Sequence, residues 1–422
     1  MNQFADLGLA EPILRAVSAE GYTHPTPIQA EVIPVMSNGQ DVVGIAQTGT
    51  GKTAAFVLPL LHALTKERKR SAPKKAKTLI LVPTRELAAQ VAASIRTYGR
   101  FIRVSTAVVV GGARPGPQIR ALASGVDIII ATPGRLEDHL STGMVRLDET
   151  STVILDEADQ MLDLGFMPAI RRILAKLPKE RQTLLLSATM PKPIRALAQD
   201  FLKHPVEIAV APAARPIDQI DQKVIHVESA LKRGMLVKLL SEPDVTRAII
   251  FTRTKHGADR VQQHLDRAGL SAAAIHGNKS QGQRERALAS FKNGKARILV
   301  ATDIAARGID VDNVSHVINF ELPNVPEAYV HRIGRTARAG KSGIALSLCD
   351  STERRMLRDI ERLIGRALPY TGQPAAIEVR RTERPRPNAR KPAAKAARNR
   401  RRKAAPPRSQ KVGATPVFSP VS

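Results

Sequence analysis

An α/β fold of two similar parallel-sheet domains, joined by a short linker and followed by a basic tail, is what the amino-acid sequence predicts. Three observations carry that reading. Short apolar runs recur at Thr78–Pro83, Asp127–Thr132, Thr152–Glu157, Thr183–Ala188, Arg247–Thr252, Arg297–Thr302 and Gly343–Leu348. They are apolar throughout rather than alternating, so both faces of each strand must be covered, the mark of parallel strands between helical layers. The segments between them have helical spacing, as in Glu86-Leu87-Ala88-Ala89-Gln90-Val91, so the chain reads as successive βα units. A weak internal repeat sets Ile130-Ala131-Thr132-Pro133 beside Val300-Ala301-Thr302-Asp303. It also sets Leu81-Val82-Pro83-Thr84-Arg85, less closely, beside Ile250-Phe251-Thr252-Arg253-Thr254.

In chain order, residues 1–208 form the first domain, 209–217 the linker, 218–368 the second domain and 369–422 the tail. The linker is rich in Ala and Pro, with Arg215 its single charge. The tail carries 14 Lys or Arg against Glu378 and Glu383 from Thr371 onward, a net +12 of the chain's +27. It has few large apolar residues to offset chain entropy, so disorder is expected. Its densest stretch, Arg398–Lys403, has five basic residues in six and reads as an anion-binding arm or a solubilising segment.

Composition narrows the function classes. The charge points to a polyanionic partner without naming one. An apolar fraction of 43% allows a sizeable core and argues against a wholly disordered basic protein. With no Trp and 3% aromatics, a nucleic-acid site built on base stacking would be short of material. The one cysteine, Cys349, excludes an intramolecular disulfide framework and a cysteine-rich metal site. It ends an apolar strand and reads as core. The N-terminus lacks the basic and apolar regions of a secretory signal, and no apolar run approaches the ~20 residues of a membrane span. A cytoplasmic protein with no membrane partner is the expectation.

The sharpest motif is Ala46-Gln47-Thr48-Gly49-Thr50-Gly51-Lys52-Thr53, set between an apolar strand and a segment able to start a helix. That is the context of a P-loop. Gly49 and Gly51 let the backbone wrap a phosphate, Lys52 can reach the outer phosphates, and Thr53 can ligate Mg²⁺. The first position is Ala46, where the general pattern has Gly. About a hundred residues on, the strand Thr152–Leu155 delivers Asp156-Glu157-Ala158-Asp159. Asp156 can hold Mg²⁺ and Glu157 can orient a water; the plainer alternative is acidic capping of a helix.

At these residues the chain resembles the DEAD-box ATP-dependent RNA helicases, in particular a bacterial RhlE-like subgroup. Gly21-Tyr22 and Pro25-Thr26-Pro27-Ile28-Gln29, with Phe4 upstream, resemble the Q motif. Pro83-Thr84-Arg85-Glu86-Leu87 resembles motif Ia, Gly111-Gly112 the GG doublet, and Thr132-Pro133-Gly134-Arg135 motif Ib. Ser187-Ala188-Thr189 resembles motif III, Ile250–Thr254 motif IV, and Gln281 with Arg284 the motif after it. Ala301-Thr302-Asp303 through Ala306-Arg307-Gly308-Ile309-Asp310 resembles motif V, and His331–Arg338 motif VI. The likeness covers roughly residues 4–365 with every motif in order. One departure is Ala337, where the family has Gly; the added methyl is harmless unless the position needs a positive φ.

The resemblance implies two tandem RecA-like domains, ATP with Mg²⁺ as cofactors, and RNA as a sequence-independent partner. It implies that Gln29 reads adenine, that Tyr22 stacks on it, and that Phe4, Thr26 and the loop from Gln47 through Thr48 to Thr53 complete the nucleotide site. Asp303 and Asp310 would touch the ribose or the domain interface. Arg335 and Arg338 would reach the γ-phosphate, on one face if their stretch is helical, with His331 ordering water beside Glu157. Ser187, Thr189 and Asp159 would couple nucleotide to RNA. RNA contacts would come from Pro83, Thr84, Arg85, Gly111, Gly112, Thr132, Pro133, Gly134, Arg135, Arg253, Gln281, Arg284, Thr302 and Arg307, and the helix Pro133–Leu140 would bend the strand. The expected mechanism is an ATP-gated clamp that opens short RNA duplexes or remodels RNA–protein complexes. A monomer is expected, with ribosomal and RNA-decay complexes both open as partners. A DNA translocase and an RNA chaperone acting through the tail are the alternatives.

Overall fold

The computed structural model describes residues 3–47, 49–66, 70–210, 220–303, 311, 314–337 and 343–371. In the first half the strands are β1 (Val42–Ile45), β2 (Ala76–Leu81), β3 (Thr106–Val109), β4 (Val126–Ala131), β5 (Thr152–Leu155), β6 (Gln182–Ser187) and β7 (Val206–Ala209). The helices there are α1 (Glu11–Ala19), α2 (Pro27–Ser37), α3 (Lys52–Lys66), α4 (Arg85–Tyr98), α5 (Pro115–Ala123), α6 (Pro133–Ser141), α7 (Ala158–Asp163), α8 (Met167–Leu174) and α9 (Lys192–Phe201). The second half has β8 (Ile220–His226), β9 (Ala248–Thr252), β10 (Ala272–Ile275), β11 (Ile298–Thr302), β12 (His316–Asn319), β13 (Gly343–Cys349) and β14 (Tyr370–Thr371). Its described helices are α10 (Lys232–Leu240), α11 (Lys255–Arg267), α12 (Gln281–Lys292), α13 (Pro326–Ile333) and α14 (Arg354–Ile364).

The strands form two seven-stranded sheets, ordered β3-β4-β2-β5-β6-β1-β7 and β10-β11-β9-β12-β13-β8-β14. Every pairing in them is parallel. The two orders match position by position: β4 corresponds to β11 and β2 to β9. Those are the strands that carry the two weak repeats, so the repeat reflects duplicated topology. Both sheets lie within one compact unit.

Each apolar strand feeds both layers beside it. Ile80, Ile128, Ile130 and Leu184 pack in one core of the first sheet, while Leu79, Ile129, Ala131 and Leu185 pack in the core on its other face. The second sheet divides the same way, Ile250 and Val300 on one side, Ile249 and Leu299 on the other. Two-sided burial is why these strands do not alternate in sequence. β8 does alternate, with Ile220, Gln222 and Val224 buried between exposed neighbours.

The strands absent from the sequence reading have identifiable reasons. β3 and β10 are four-residue edge strands. β12 is central, but its ends are the buried polar residues His316 and Asn319. Asn319 is satisfied by side chains of other segments: its amide donates to the Ser347 hydroxyl at 3.1 Å, and its carbonyl accepts from Arg332. The expected linker and tail lie outside the described residues except at their starts. There pairing continues further than expected: Ala209 closes β7 against Ile45, and Tyr370–Thr371 add β14 to β8, with Val224 N–H donating to Pro369 O at 2.8 Å. Among the described residues, no helix is long and apolar enough to cross a membrane.

In parallel α/β sheets, ligands gather at the carboxyl ends of the strands. Those ends present the P-loop after β1, Pro83–Arg85 after β2, Thr132 after β4, Asp156-Glu157 after β5 and Ser187–Thr189 after β6.

Candidate functional site

The P-loop joins β1 to α3. Gly49 and Gly51 have φ of 86° and 91°, where a side chain would strain the turn. Gly51 is needed twice over, because the space a Cβ would take is filled by the Gln29 amide and the Thr26 hydroxyl. Gln29 is buried and bound at both ends. Its Nε2 donates to Gly51 O at 3.1 Å, and its Oε1 accepts from Thr26 N–H at 2.9 Å at the start of α2. One amide hydrogen and one lone pair remain for a base edge. Lys52 is buried at the first position of α3, its ammonium donating to Ala46 O at 2.6 Å. The Thr50 hydroxyl closes the loop onto Gln47 O at 2.8 Å. Thr53 stands one residue into α3. Thr48 lies outside the described residues. Phe4 is core, while Tyr22 is 53% exposed and free to offer a ring face.

Asp156 and Glu157 follow β5, both buried. Asp156 Oδ1 accepts the Glu157 N–H at 3.0 Å. Burial pushes the Asp156 carboxyl up to about 6, with the Lys52 ammonium acting against it. Burial and then the Asp156 charge push Glu157 up to about 7, while Lys52 and Arg335 pull it down. Glu157 sits at φ 54°, a left-handed conformation that a non-glycine residue holds only under constraint. It occupies the N-cap position of α7, yet its side chain makes no cap hydrogen bond, and its Oε2 is buried without a partner. Simple acidic capping therefore does not account for it.

Asp159 is tied to motif III. One carboxylate oxygen accepts from Ala188 N–H at 3.2 Å, Thr189 N–H at 3.0 Å and the Thr189 hydroxyl at 3.1 Å. Ser187 Oγ accepts from Asp159 N–H at 3.2 Å and donates to Thr189 O at 2.7 Å. These bonds tie the acidic motif to the end of β6.

The second sheet contributes Arg335, which is buried, donates from Nε to His331 O at 3.3 Å, and lies near enough to Glu157 to act on its charge. The helical spacing expected for Arg335 and Arg338 is not what brings Arg335 there. α13 ends at Ile333, so Arg335 lies beyond it. Arg338 falls outside the described residues, as do Arg307 and Asp310. Ala337 has φ 54°. The exception for a positive φ thus applies, and the methyl that looked harmless is strained. Asp303 is held by Arg332: Nη2 donates to Oδ2 at 2.9 Å and Nε pairs with Oδ1. Arg332 is fully buried over the Phe251 ring, and it also donates to Asn319 Oδ1 at 3.0 Å and Glu321 O at 2.7 Å. It binds motif V to motif VI, a role the motif string did not disclose.

A cleft of about 430 Å³ collects most of the residues expected to meet RNA: Pro83, Thr84, Arg85, Gly111, Thr132, Gly134, Arg135 and, from the second sheet, Arg284. Glu86, Asp138, Leu164 and Phe166 complete its lining and were not expected. Gly112, at φ 66°, leaves the space that the Arg85 guanidinium fills. Two contacts cross between the halves. Arg85 Nη1 donates to Gln281 Oε1 at 3.4 Å, and Arg284 Nη2 pairs with Glu86 Oε1 at 2.9 Å. Burial, then Arg284 and Arg135, hold the Arg85 guanidinium below its usual value, against the pull of Glu86. Arginines crowded at one cleft favour a polyanion. Pro133 starts α6, and Thr302 is buried at the end of β11. Arg253 is instead engaged by carboxylates of its own half. Its N–H donates to Glu321 at 2.8 Å, and its guanidinium lies 3.6 Å from Glu321 and from Glu353.

A P-loop and a buried acidic pair on one parallel sheet, met by an arginine from a second sheet of the same topology, define a two-domain P-loop protein. Comparison with known families narrows this. The DEAD/DEAH box helicase model matches residues 26–197, and the helicase conserved C-terminal domain model matches residues 231–340. The ATP-dependent RNA helicase DeaD of Escherichia coli is 46% identical over 88% of this chain and 59% of its own length. The DEAD-box ATP-dependent RNA helicase CshA of Bacillus subtilis is 42% identical over 89% of this chain and 75% of its own. The chain thus spans about three-fifths of the length of the DeaD relatives. Among solved structures, S. cerevisiae Dbp5 bound to RNA and ADP BeF3 matches with a TM-score of 0.78 and 29% identity, over 88% of this chain and 96% of that one. The helicase Mss116 bound to ssRNA and UDP-BeF matches at 0.80 and 28%, over 90% and 81%. The chain belongs to the DEAD-box helicase family.

Two stability predictions follow from this geometry. A carboxyl whose folded value lies above its unfolded one stabilises fully at low pH, and that contribution is lost as pH rises through about 7. Glu157→Gln removes the buried charge, so at pH 8 the nucleotide-free variant is expected to be about 1–3 kcal/mol more stable than the parent, with the gain gone near pH 5. Melting curves at the two pH values check this; an equal gain at both refutes it. Ala337→Gly relieves the left-handed alanine and is expected to raise the melting temperature by about 1–2 °C.

Proposed function

We propose that the protein is an RNA-stimulated ATPase that opens short RNA duplexes or remodels RNA–protein complexes by an ATP-gated clamp between its two halves. The observation that carries this is the pair of contacts between the halves, Arg85–Gln281 and Glu86–Arg284, together with the charge of Arg335 acting on the buried Glu157 of the first half. A site whose catalytic groups come from two domains is complete only when they close.

The chemistry follows from the groups present. Lys52 exchanges its Ala46 carbonyl for the outer phosphates of ATP, and the P-loop amides hold the rest of the chain of phosphates. The Thr53 hydroxyl and the Asp156 carboxylate are hard oxygen donors, a set that suits Mg²⁺ bound jointly with substrate phosphates. Bound there, Mg²⁺ supplies charge neutralisation at the phosphates. Glu157, with a carboxyl near 7 and a buried unpartnered oxygen, accepts a hydrogen bond from the attacking water and takes its proton. Arg335 and Arg338 stabilise the charge that develops on the γ-phosphoryl, the largest single effect in such reactions. Gln29 and Tyr22 select the adenine.

The arginine cleft takes a single strand by its phosphates and 2′-hydroxyls, with backbone amides at Gly111 and Gly134 nearby. Seating of the strand draws the two halves together through Arg85–Gln281 and Glu86–Arg284. Asp159 passes the consequence to Ser187 and Thr189. ATP and RNA therefore bind cooperatively, and hydrolysis reopens the clamp. One chain supplies both halves, so a monomer suffices. The basic tail adds sequence-blind tethering.

The expected outcome for Glu157→Gln is retained ATP and RNA binding with turnover lowered at least about a hundredfold. ATPase of the parent protein should be stimulated by single-stranded RNA and not by DNA of matching sequence; equal stimulation by DNA defeats the RNA assignment. Truncation after Thr371 should raise KM for RNA more than it lowers kcat. It should also flatten the salt dependence, whose slope is about −0.7 per neutralised phosphate on a single strand.

A further inference from the structure

The turn Val110–Ala113, which carries the two adjacent glycines, joins β3 to α5 and brings Gly111 to the arginine cleft. Thr132, Gly134 and Arg135, at the start of α6, line the same cleft. Two glycines in a row give the turn no side chains of its own to fix it, and Gly112 holds φ 66°. The turn is nevertheless tied at both ends. Ala113 O accepts from Arg135 Nη1 at 3.0 Å, and Val110 O accepts from Gln118 Nε2 at 2.9 Å. Between them the Gly111 N–H donates to the Thr132 hydroxyl at 3.4 Å.

Gln118 falls in none of the motifs read from the sequence. It lies on α5, is buried, and does not line the cleft. Its amide is used at both ends. Val110 O can only accept, so the amide nitrogen faces it and the amide oxygen is turned the other way. That oxygen lies 3.3 Å from Nε2 of His139, a buried side chain near the end of α6. Because the oxygen accepts, His139 Nε2 carries the hydrogen and donates. One side chain thus bridges the glycine turn and α6, and reversing its amide would break both bonds at once.

We propose that Gln118 is a positioning residue for the RNA strand: by joining Val110 O to His139 it holds the glycine turn and α6 at the spacing that lets both meet one strand. This rests on the reading of the arginine cleft as the seat of RNA. A turn that must be ordered when the strand arrives weakens binding, and a bridge that orders it beforehand removes that penalty. The P-loop and the acidic pair follow other strands, β1 and β5, so the bridge acts on RNA affinity and leaves nucleotide binding alone.

The test uses the full chain, with ATPase measured against single-stranded RNA at saturating ATP. Gln118→Met keeps the length and volume and removes both bonds. The expected result is a rise in KM for RNA of about threefold to tenfold, the range of one or two hydrogen bonds, with kcat changed less than twofold. The Kd of a fluorescent ATP analogue without RNA should stay as in the parent. Gln118→Asn keeps the amide but is too short to span both partners; it should give the same split and serves if the methionine variant does not fold. His139→Leu frees one end of the bridge and should raise KM for RNA less, and should add nothing once Gln118 is methionine. If the Gln118 variants leave KM for RNA unaltered, or if nucleotide binding weakens by the same factor, or if the Gln118 and His139 effects multiply, the positioning role is wrong. Arg284→Ala separates the premise: an unaltered KM for RNA in that variant overturns the cleft as the seat of RNA. A raised KM there beside an unaltered one in the Gln118 variants overturns only the bridge.

Discussion

Two carboxylates buried side by side at the end of β5 set the terms for the rest of the site. Neither Asp156 nor Glu157 can ionise there without compensation, because burial and mutual repulsion both oppose it. The compensation comes from two directions. Lys52 arrives on the helix that follows the P-loop, within the first sheet. Arg335 arrives from the second sheet. The charge state of the acidic pair is thereby linked to how the two halves meet, and a chemical step that needs ionised carboxylates is linked to closure without any further device.

Around that pair, several polar side chains are held in place by their neighbours. Asp159 is tied to motif III, Asp303 to Arg332, and Gln29 to the P-loop and the start of α2. Buried networks of this kind hold a geometry because releasing any one member strands another. They also give several motif residues partners within the protein. Arg332 and Asp303 act on each other, and Arg253 is drawn into the carboxylates of its own half. Of the four described non-glycine residues at positive φ, two, Glu157 and Ala337, lie within the motifs.

Much of this was legible in the chain itself. The parallel strands showed as unbroken apolar runs, and the duplicated topology showed as two faint echoes that fall on corresponding strands. The P-loop was legible because glycine is required wherever φ turns positive, and the acidic pair because it ends an apolar strand. Where legibility failed, the cause is local. β12 hides because Asn319 and His316 are polar yet buried, satisfied by side chains of other segments. Arg335 and Arg338 would share a face if their stretch were helical, but α13 ends at Ile333, before Arg335. Ala337 could be judged only once its φ was known. Glu86 stood inside a recognised motif, yet its partner Arg284 lies 198 positions further on.

What the sequence determined alone is therefore everything set by short-range pattern: the α/β class, the two-fold repeat, the phosphate loop, the acidic pair, the order of motifs and the basic tail. What only the tertiary structure decided is pairing. It joins Arg332 to Asp303 and Arg284 to Glu86, it brings the charge of Arg335 to bear on Glu157, and it lifts two carboxyls toward neutrality by burying them. The physical reason is that composition and periodicity record what each segment does with its own neighbours. Desolvation and charge partnership arise only where segments far apart in the chain are brought to the same place.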